Sequence, residues 1–440
     1  MTTQRDTQGG SELAAENDRL NDLLGKLDEA TVLLEEARDF AKPGKLGRVL
    51  DTARRVMLQP AGCAAIERRA QRLEDAGVFL GSDWETPQFL LPSLTTSALQ
   101  SRDPNSVVIE ALSELRLLAV AKGSYHHAQV SAEQAHHYLT QTMAINLWLL
   151  FGAPSEAERE AQGRLAQLPR NLFHHLAERI GYEHVIDQLI DEIWRILEQR
   201  PIQVEPVKQM ITQIALCQAN PDIELGASGK GADRLISSLF GPTRASREDP
   251  GLDVYRERLA SMDSSTLQNE ATGFARAMHD TGLVSAYHPV LLRHLLDDSD
   301  HLVAEALGLS STGRDCLLCY RELVYALIRS AVHPATPQAV YGLALTLERA
   351  MLYQPPVAPA LWRQLRLTLS DWSQARLNLA FGEAVSPKAR LLGGVLCMLG
   401  QPLGVGQGNN PTCQSARALS MWAYNDPDYL LQMVTWAARD

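Results

Sequence analysis

The residues best suited to chemistry in this chain lie in GQPLGVGQGNNPTCQSARALSMWA, Gly400 to Ala423. Glycines stand at 400, 404, 406 and 408, two asparagines and a proline follow, and Cys413 comes where a helix reads as opening. A thiol attacks a carbonyl only as thiolate, and a helix N-terminus favours the thiolate through its dipole and free amides. Pro411 and Thr412 form a natural helix start, which places Cys413 in the first turn. Acyl transfer also needs a donor aimed at the developing oxyanion. Gln407, six residues before the thiol, is the candidate. Gly406 and Gly408 let the backbone approach a substrate closely. The competing reading makes Cys413 a small helix-start residue with no chemistry.

The spacing resembles that of papain-like cysteine peptidases, whose oxyanion-hole glutamine lies six residues before the nucleophile. On that resemblance Gln407 is the glutamine, Gly408 the glycine after it and Thr412 the small residue before the thiol. It is also similar to the SUMO-protease type, in which a Gln-x-Asn pattern precedes the cysteine. Gln407 and Asn409 match that pattern, whereas Thr412 and Gln414 replace its flanking aspartate and glycine. The resemblance implies a catalytic pair of Cys413 and Gln407, with Gly406, Gly408 and Asn409 binding substrate. It covers residues 404–423 and implies the start of an α+β catalytic domain at 386–440. In papain-like order the base histidine follows the cysteine, yet no histidine follows His333. Either the chain is a fragment that ends before its β-rich half, or the base lies upstream. His333, 80 residues before Cys413, is then the candidate.

Other constellations point to no cofactor and no metal. GASGKGA has Glu224 where a phosphate loop needs its first glycine and Gly231 where it needs Ser or Thr. LGVGQGNN has Asn409 at the third glycine position of a dinucleotide fingerprint, with no βαβ unit around it. Histidines pair at 126–127, 136–137 and 174–175, and Glu133 with His136 makes one Glu-x-x-His unit. A helical di-iron site needs a second such unit. His126 and His137 on one helix would stand about 16 Å apart, too far for one metal. Cys316 and Cys319 form one Cys-x-x-Cys on an expected helix, and zinc would need two further ligands.

The elements that must position these residues read as helices almost throughout. Leu13, Leu20, Leu27 and Leu34 recur every seven residues, which predicts a leading amphipathic helix after a disordered tip. That stripe either packs on its own domain or pairs two chains as a homodimer. From Glu12 to Asp39 nine acidic and three basic residues give −6, while Lys42 to Arg72 carries eight basic and two acidic, +6. Matched opposite runs predict two neighbouring segments facing each other rather than a basic patch for an anionic partner. NSVVIEALSELRLLAVAKG is apolar at helical spacing and stops at Gly123. TPQAVYGLALTLERAMLYQPP begins at Thr336, a residue suited to an N-cap. The glycines, serines and prolines of 226–251 read as a linker. The expected organisation is then 1–41 tip and leading helix, 42–225 helical domain, 252–385 second helical domain, and 386–440 the Cys-bearing end.

Bulk properties bound the function. With 440 residues, 45% hydrophobic and 21% charged, the chain belongs with globular proteins. A net charge of −11 argues against nucleic acid as a general partner. Six cysteines in this length do not make a disulfide framework and suggest a reducing compartment, the cytosol. The N-terminus has no apolar core of a secretory signal, and no apolar run is long enough to span a bilayer. Two functions stand from this reading: a cysteine-dependent amide hydrolase or acyl transferase, and a non-catalytic all-α protein that binds a protein or peptide partner.

Overall fold

Apolar residues spaced three and four apart favour helices that bury one face, and every element among the described residues is helical. The computed structural model describes residues 5–99, 101, 103–146, 167–221, 223, 228–406 and 413–439, with the backbone alone at 5–16 and 228. Those residues define an all-α fold, without a strand among them. The chain divides into two compact units, 1–191 with 216–229 and 192–215 with 230–440.

The first unit contains α1 (Arg5–Glu35), α2 (Lys42–Met57), α3 (Gly62–Glu67), α4 (Ala70–Asp75), α5 (Pro92–Leu99), α6 (Pro104–Ala121), α7 (Ala132–Ile145), α8 (Gln167–Ile180) and the start of α9 (Tyr182–Glu198). Leu20, Leu24, Leu27 and Leu34 are buried, and α1 packs on α2. A homodimer built on this stripe would need side chains that the chain itself already covers. Asp28 of α1 accepts from Arg69 Nε at 3.1 Å and from Arg72 Nη1 at 3.2 Å. The acidic and basic runs therefore face each other within the unit.

Helix α6 lies at the centre, in contact with α2, α3, α4, α5, α7 and α8. Asp103 caps it by accepting from the Asn105 and Ser106 amides at 3.2 and 3.1 Å, and Pro104 opens its first turn. Its C-terminal stop is Gly123, at φ +70. Every residue from Val107 to Val120 is buried, including Glu110, Ser113, Glu114 and Arg116. Buried polar groups must be paired. Arg116 Nη1 donates to Glu74 Oε1 at 3.0 Å and Nη2 donates to the Trp84 carbonyl at 2.8 Å, with the guanidinium 3.9 Å over the Phe79 ring. Tyr125 OH donates to Glu74 Oε2 at 2.9 Å, and His127 Nε2 lies 3.3 Å from Oε1. On the same helix Trp84 Nε1 donates to Glu110, and Thr95 Oγ1 donates to Glu114 Oε1 at 3.3 Å. Burial and then the Glu110 carboxylate push Glu114 well above the usual carboxylate range, which favours its protonated form.

The second unit takes the rest of α9, most of α10 (Glu205–Ala219) and α11 (Ser228–Phe240), then α12 (Leu252–Ala260), α13 (Ser264–Thr281), α14 (Tyr287–Asp298) and α15 (Val303–Ala306). It continues through α16 (Ser311–Cys319), α17 (Arg321–Ala331), α18 (Gln338–Glu348), α19 (Val357–Arg366), α20 (Asp371–Phe381) and α21 (Pro387–Gly400). Helices α22 (Cys413–Asn425) and α23 (Pro427–Arg439) complete it.

Two parts of this unit differ from the sequence reading. Within the expected linker 226–251, Ser228–Phe240 is helical and buries Ala232 and Leu235. The loop after it is held by Glu270 of α13, which accepts from Thr243 Oγ1 at 2.6 Å, Tyr255 OH at 3.0 Å and the Ala245 amide at 3.3 Å. Residues 192–215 join this unit through long-range bonds such as Ile202 N to Gly404 O, 3.1 Å, and Gln401 Nε2 to Arg200 O, 2.9 Å. The division between compact units therefore falls within α9, α10 and α11 and not on a linker. Thr336 also turns backwards. Its Oγ1 donates to Ala331 O at 2.7 Å and accepts from His333 N at 3.0 Å, closing α17 instead of capping α18.

Helices α18 and α21 cross at glycine. A Cβ on Gly400 would stand 2.2 Å from the Gly342 carbonyl oxygen, and one on Gly342 would stand 2.6 Å from that of Leu396. Nearby, α14 buries His288 fully. Its Nε2 donates to the Ala306 carbonyl at 2.8 Å, while Nδ1 has no hydrogen-bond partner among the described residues. Burial pulls its pKa down to about 4.

Candidate functional site

Helix α22 begins at Cys413, so the thiol stands on its first residue, and the side chain is exposed. Gly406 is described and is exposed. Gln407, Gly408, Asn409 and Thr412 lie outside the described residues. Helices α22 and α23, which follow the thiol, pack on each other. His333 closes α17 and lines a cavity with Arg293 and His294, and burial followed by the nearby Arg293 charge lowers its pKa. Among the described residues, no hydrogen bond or ion pair joins it to Cys413.

The other thiols separate by exposure. Burial pushes Cys63, Cys217 and Cys397 up to about 12 and raises Cys316. Cys319 is exposed on α16 and accepts from Tyr353 OH at 3.3 Å, so the Cys-x-x-Cys places one thiol inside and one outside. The paired histidines have protein partners of their own. His175 lies 2.7 Å from Glu67, which also accepts from Arg179 at 3.0 Å, and His136 meets the His184 ring edge-on at 5.6 Å. Against the opposing cost of burial, His175 and Arg179 hold Glu67 below the usual carboxylate range. No group of three or more His, Cys, Asp or Glu placed to hold a metal occurs among the described residues. No helix among them is long and apolar enough to cross a membrane.

A second site emerges from α20, α21 and α23. Ser370 caps α20 by accepting from the Ser373 amide at 3.2 Å, and its own amide donates to the Ala438 carbonyl at 2.9 Å. Ser373 Oγ donates to the Ala437 carbonyl at 3.2 Å. These bonds pin the start of α20 to the end of α23, and Ser373 is the one residue of α20 that is buried. Ser373, Leu377 and Ala380, at helical spacing, share one face, and Trp372, Arg376 and Leu379 share another. Between the helices lies a cavity of about 270 Å³. Trp372, Arg376 and Leu377 line it from α20, Leu391 from α21, and Val434, Ala437 and Ala438 from α23. The outer apolar side chains stay in water: Trp372 is 63% exposed, Phe381 58% and Leu379 79%.

The charge around this groove is opposite to that of the chain. Residues 371–390, α20 and the start of α21, hold three basic side chains (Arg376, Lys388, Arg390) and two acidic ones (Asp371, Glu383), against −11 overall. Arg376 lies 5.4 Å over the Trp372 ring, and Lys388 precedes Leu391 by one turn of α21. Neither cation forms an ion pair with a carboxylate among the described residues. Sequence reasoning missed these residues, although Trp372 and Leu379, seven apart in a helix that also holds Leu377 and Phe381, were the available signal. Comparison with protein-family models, with characterised proteins and with solved structures gives no match.

Proposed function

We propose that this chain is an all-α interaction protein whose α20–α21–α23 groove binds an amphipathic helix with apolar anchors and acidic flanks. The observation that carries the reading is the exposed Trp372, Leu379 and Phe381 beside an apolar cavity. Large apolar side chains left exposed on α20 in this way mark a place where another surface docks. A helix laid in such a groove inserts residues at i, i+3 or i+4, and i+7, and aromatic anchors carry most of the affinity. Arg376 and Lys388 at the rim select carboxylates on the partner.

The test is fluorescence anisotropy with a designed sixteen-residue helix that carries Leu and Phe on one face and Glu on its flanks. Micromolar binding is expected, with a loss of at least about tenfold on replacing Glu by Lys, and a similar loss for Trp372→Ala. Equal binding of the acidic and basic peptides, or binding indifferent to Trp372→Ala, overturns the reading.

A second reading rests on the exposure of Cys413 at the first residue of α22. On it the thiol is the nucleophile of a cysteine-dependent amide hydrolase or acyl transferase, with Gln407 as oxyanion donor and Gly406, Gly408 and Asn409 beside the substrate. Iodoacetamide labelling near pH 6.5, read by peptide mass mapping, tests it. Cys413 should outpace Cys319, the other exposed thiol, and Gln407→Ala should leave labelling intact. Equal rates at the two thiols remove its support.

A further inference from the structure

We infer that the cavity between α12, α14 and the end of α17 binds an organic phosphate monoester, a small molecule with a dianionic head and an apolar body. The cavity holds about 480 Å³, within the range of about 300–1,000 Å³ typical of small-molecule sites. Its apolar lining is Leu259, Val290 and Pro334, and its polar lining is Arg256, Arg293, His294, His333 and Asp297. Arg256 and Arg293 bring two positive charges to it and Asp297 one negative charge.

Arg293 is the central group. Its Nη1 donates to the Arg329 and Val332 carbonyls at 2.9 and 3.2 Å, which fixes the guanidinium at the C-terminal end of α17. It pairs with no carboxylate among the described residues, and its remaining donors are left for a ligand. A guanidinium held in this way presents its fork without further ordering, the geometry that suits a phosphate. Arg256 is exposed and reaches Asp253 on its own helix, a surface pair of small worth that a dianion can displace. His294 Nδ1 lies 3.3 Å from Asp298 on the same helix, and its Nε2 becomes a second donor only in the protonated ring. The one lining carboxylate, Asp297, lies 3.7 Å from Arg329 and is partly neutralised there. The site shares no residue with the groove on α20, and of the Cys413 reading it includes only His333, which no hydrogen bond or ion pair joins to that thiol among the described residues.

Isothermal titration with phenyl phosphate is the test, with phenol and inorganic phosphate as controls. Phenyl phosphate should bind in the sub-millimolar range, inorganic phosphate about tenfold weaker, and phenol not measurably. Arg256→Gln and Arg293→Lys should each weaken phenyl phosphate by at least about tenfold while the circular-dichroism spectrum stays unchanged. Because Arg256 is exposed, its variant keeps the test valid if Arg293→Lys folds poorly. Phosphatidylcholine vesicles containing phosphatidic acid form a second arm. Co-sedimentation that both variants lose assigns the phosphate to a lipid headgroup, and binding of phenyl phosphate alone assigns it to a soluble molecule. No heat with phenyl phosphate at millimolar concentration, or binding by both folded variants as tight as that of the unmutated chain, overturns the proposal.

Discussion

His288 should make the second unit lose stability as the solution is acidified. The imidazole is fully buried, donates from Nε2 to the Ala306 carbonyl and leaves Nδ1 without a partner among the described residues, so protonation would place a charge where none of them receives it. Its folded pKa is about 4, against 6.5 when free. Between those values the unfolded chain binds the extra proton, and stability therefore rises with pH across the window. The contribution is fully present above about pH 6.5 and is lost as pH falls through about 4. At ~1.36 kcal/mol for each pH unit, the window is worth about 3 kcal/mol. His288→Gln keeps an amide donor near the Ala306 carbonyl but does not titrate. Urea unfolding of both proteins from pH 4 to 7 isolates the group, because Glu114 and other titrating residues cancel in the difference. The native protein should gain about 3 kcal/mol on the variant across that range. A flat difference, or a His288 ring titrating near 6.5 by NMR, would refute the reasoning.

Four further outcomes follow from the packing. Gly400→Ala pushes a methyl into the Gly342 carbonyl and should cost about 1–3 kcal/mol in urea unfolding. Gly394→Ala, in the same helix with nothing within 4 Å of its Cβ, should be neutral or stabilising by up to about 1 kcal/mol. Leu27→Ala should cost about 2–5 kcal/mol, as truncation of a fully buried leucine does, with no change of mass in sedimentation. Glu74→Ala strands the buried Arg116 guanidinium and should cost about 3–5 kcal/mol by thermal or urea unfolding.

What the sequence revealed was local. The leucine stripe of α1, the glycine stop of α6 and the facing charge runs each follow from residues within a turn or from net charge. Cys413 at a helix start was also legible, because proline and threonine announce it. Long-range bonds were not. Gly229 and Gly231 hide the short apolar spacing of α11, and Glu270 holds a loop more than twenty residues before it. The four polar residues buried inside the apolar α6 went unread in the sequence, and their partners Glu74 and Trp84 carry no local mark. The groove on α20 left only the Trp372–Leu379 spacing as a mark, since its apolar residues lie on two faces and give no single stripe.

The Arg116–Glu74 centre also sets where this chain can be cut. Glu74 lies on α4, Trp84 and Phe79 on the following loop, and Tyr125 and His127 beyond the end of α6. A fragment that starts between them inherits the guanidinium without its counterion, and one that ends between them inherits the carboxylate without its donors. Libraries of truncated clones should therefore yield soluble pieces with boundaries outside residues 74–127 and few inside. Two co-expressed pieces split within that span should recover one another only as a pair.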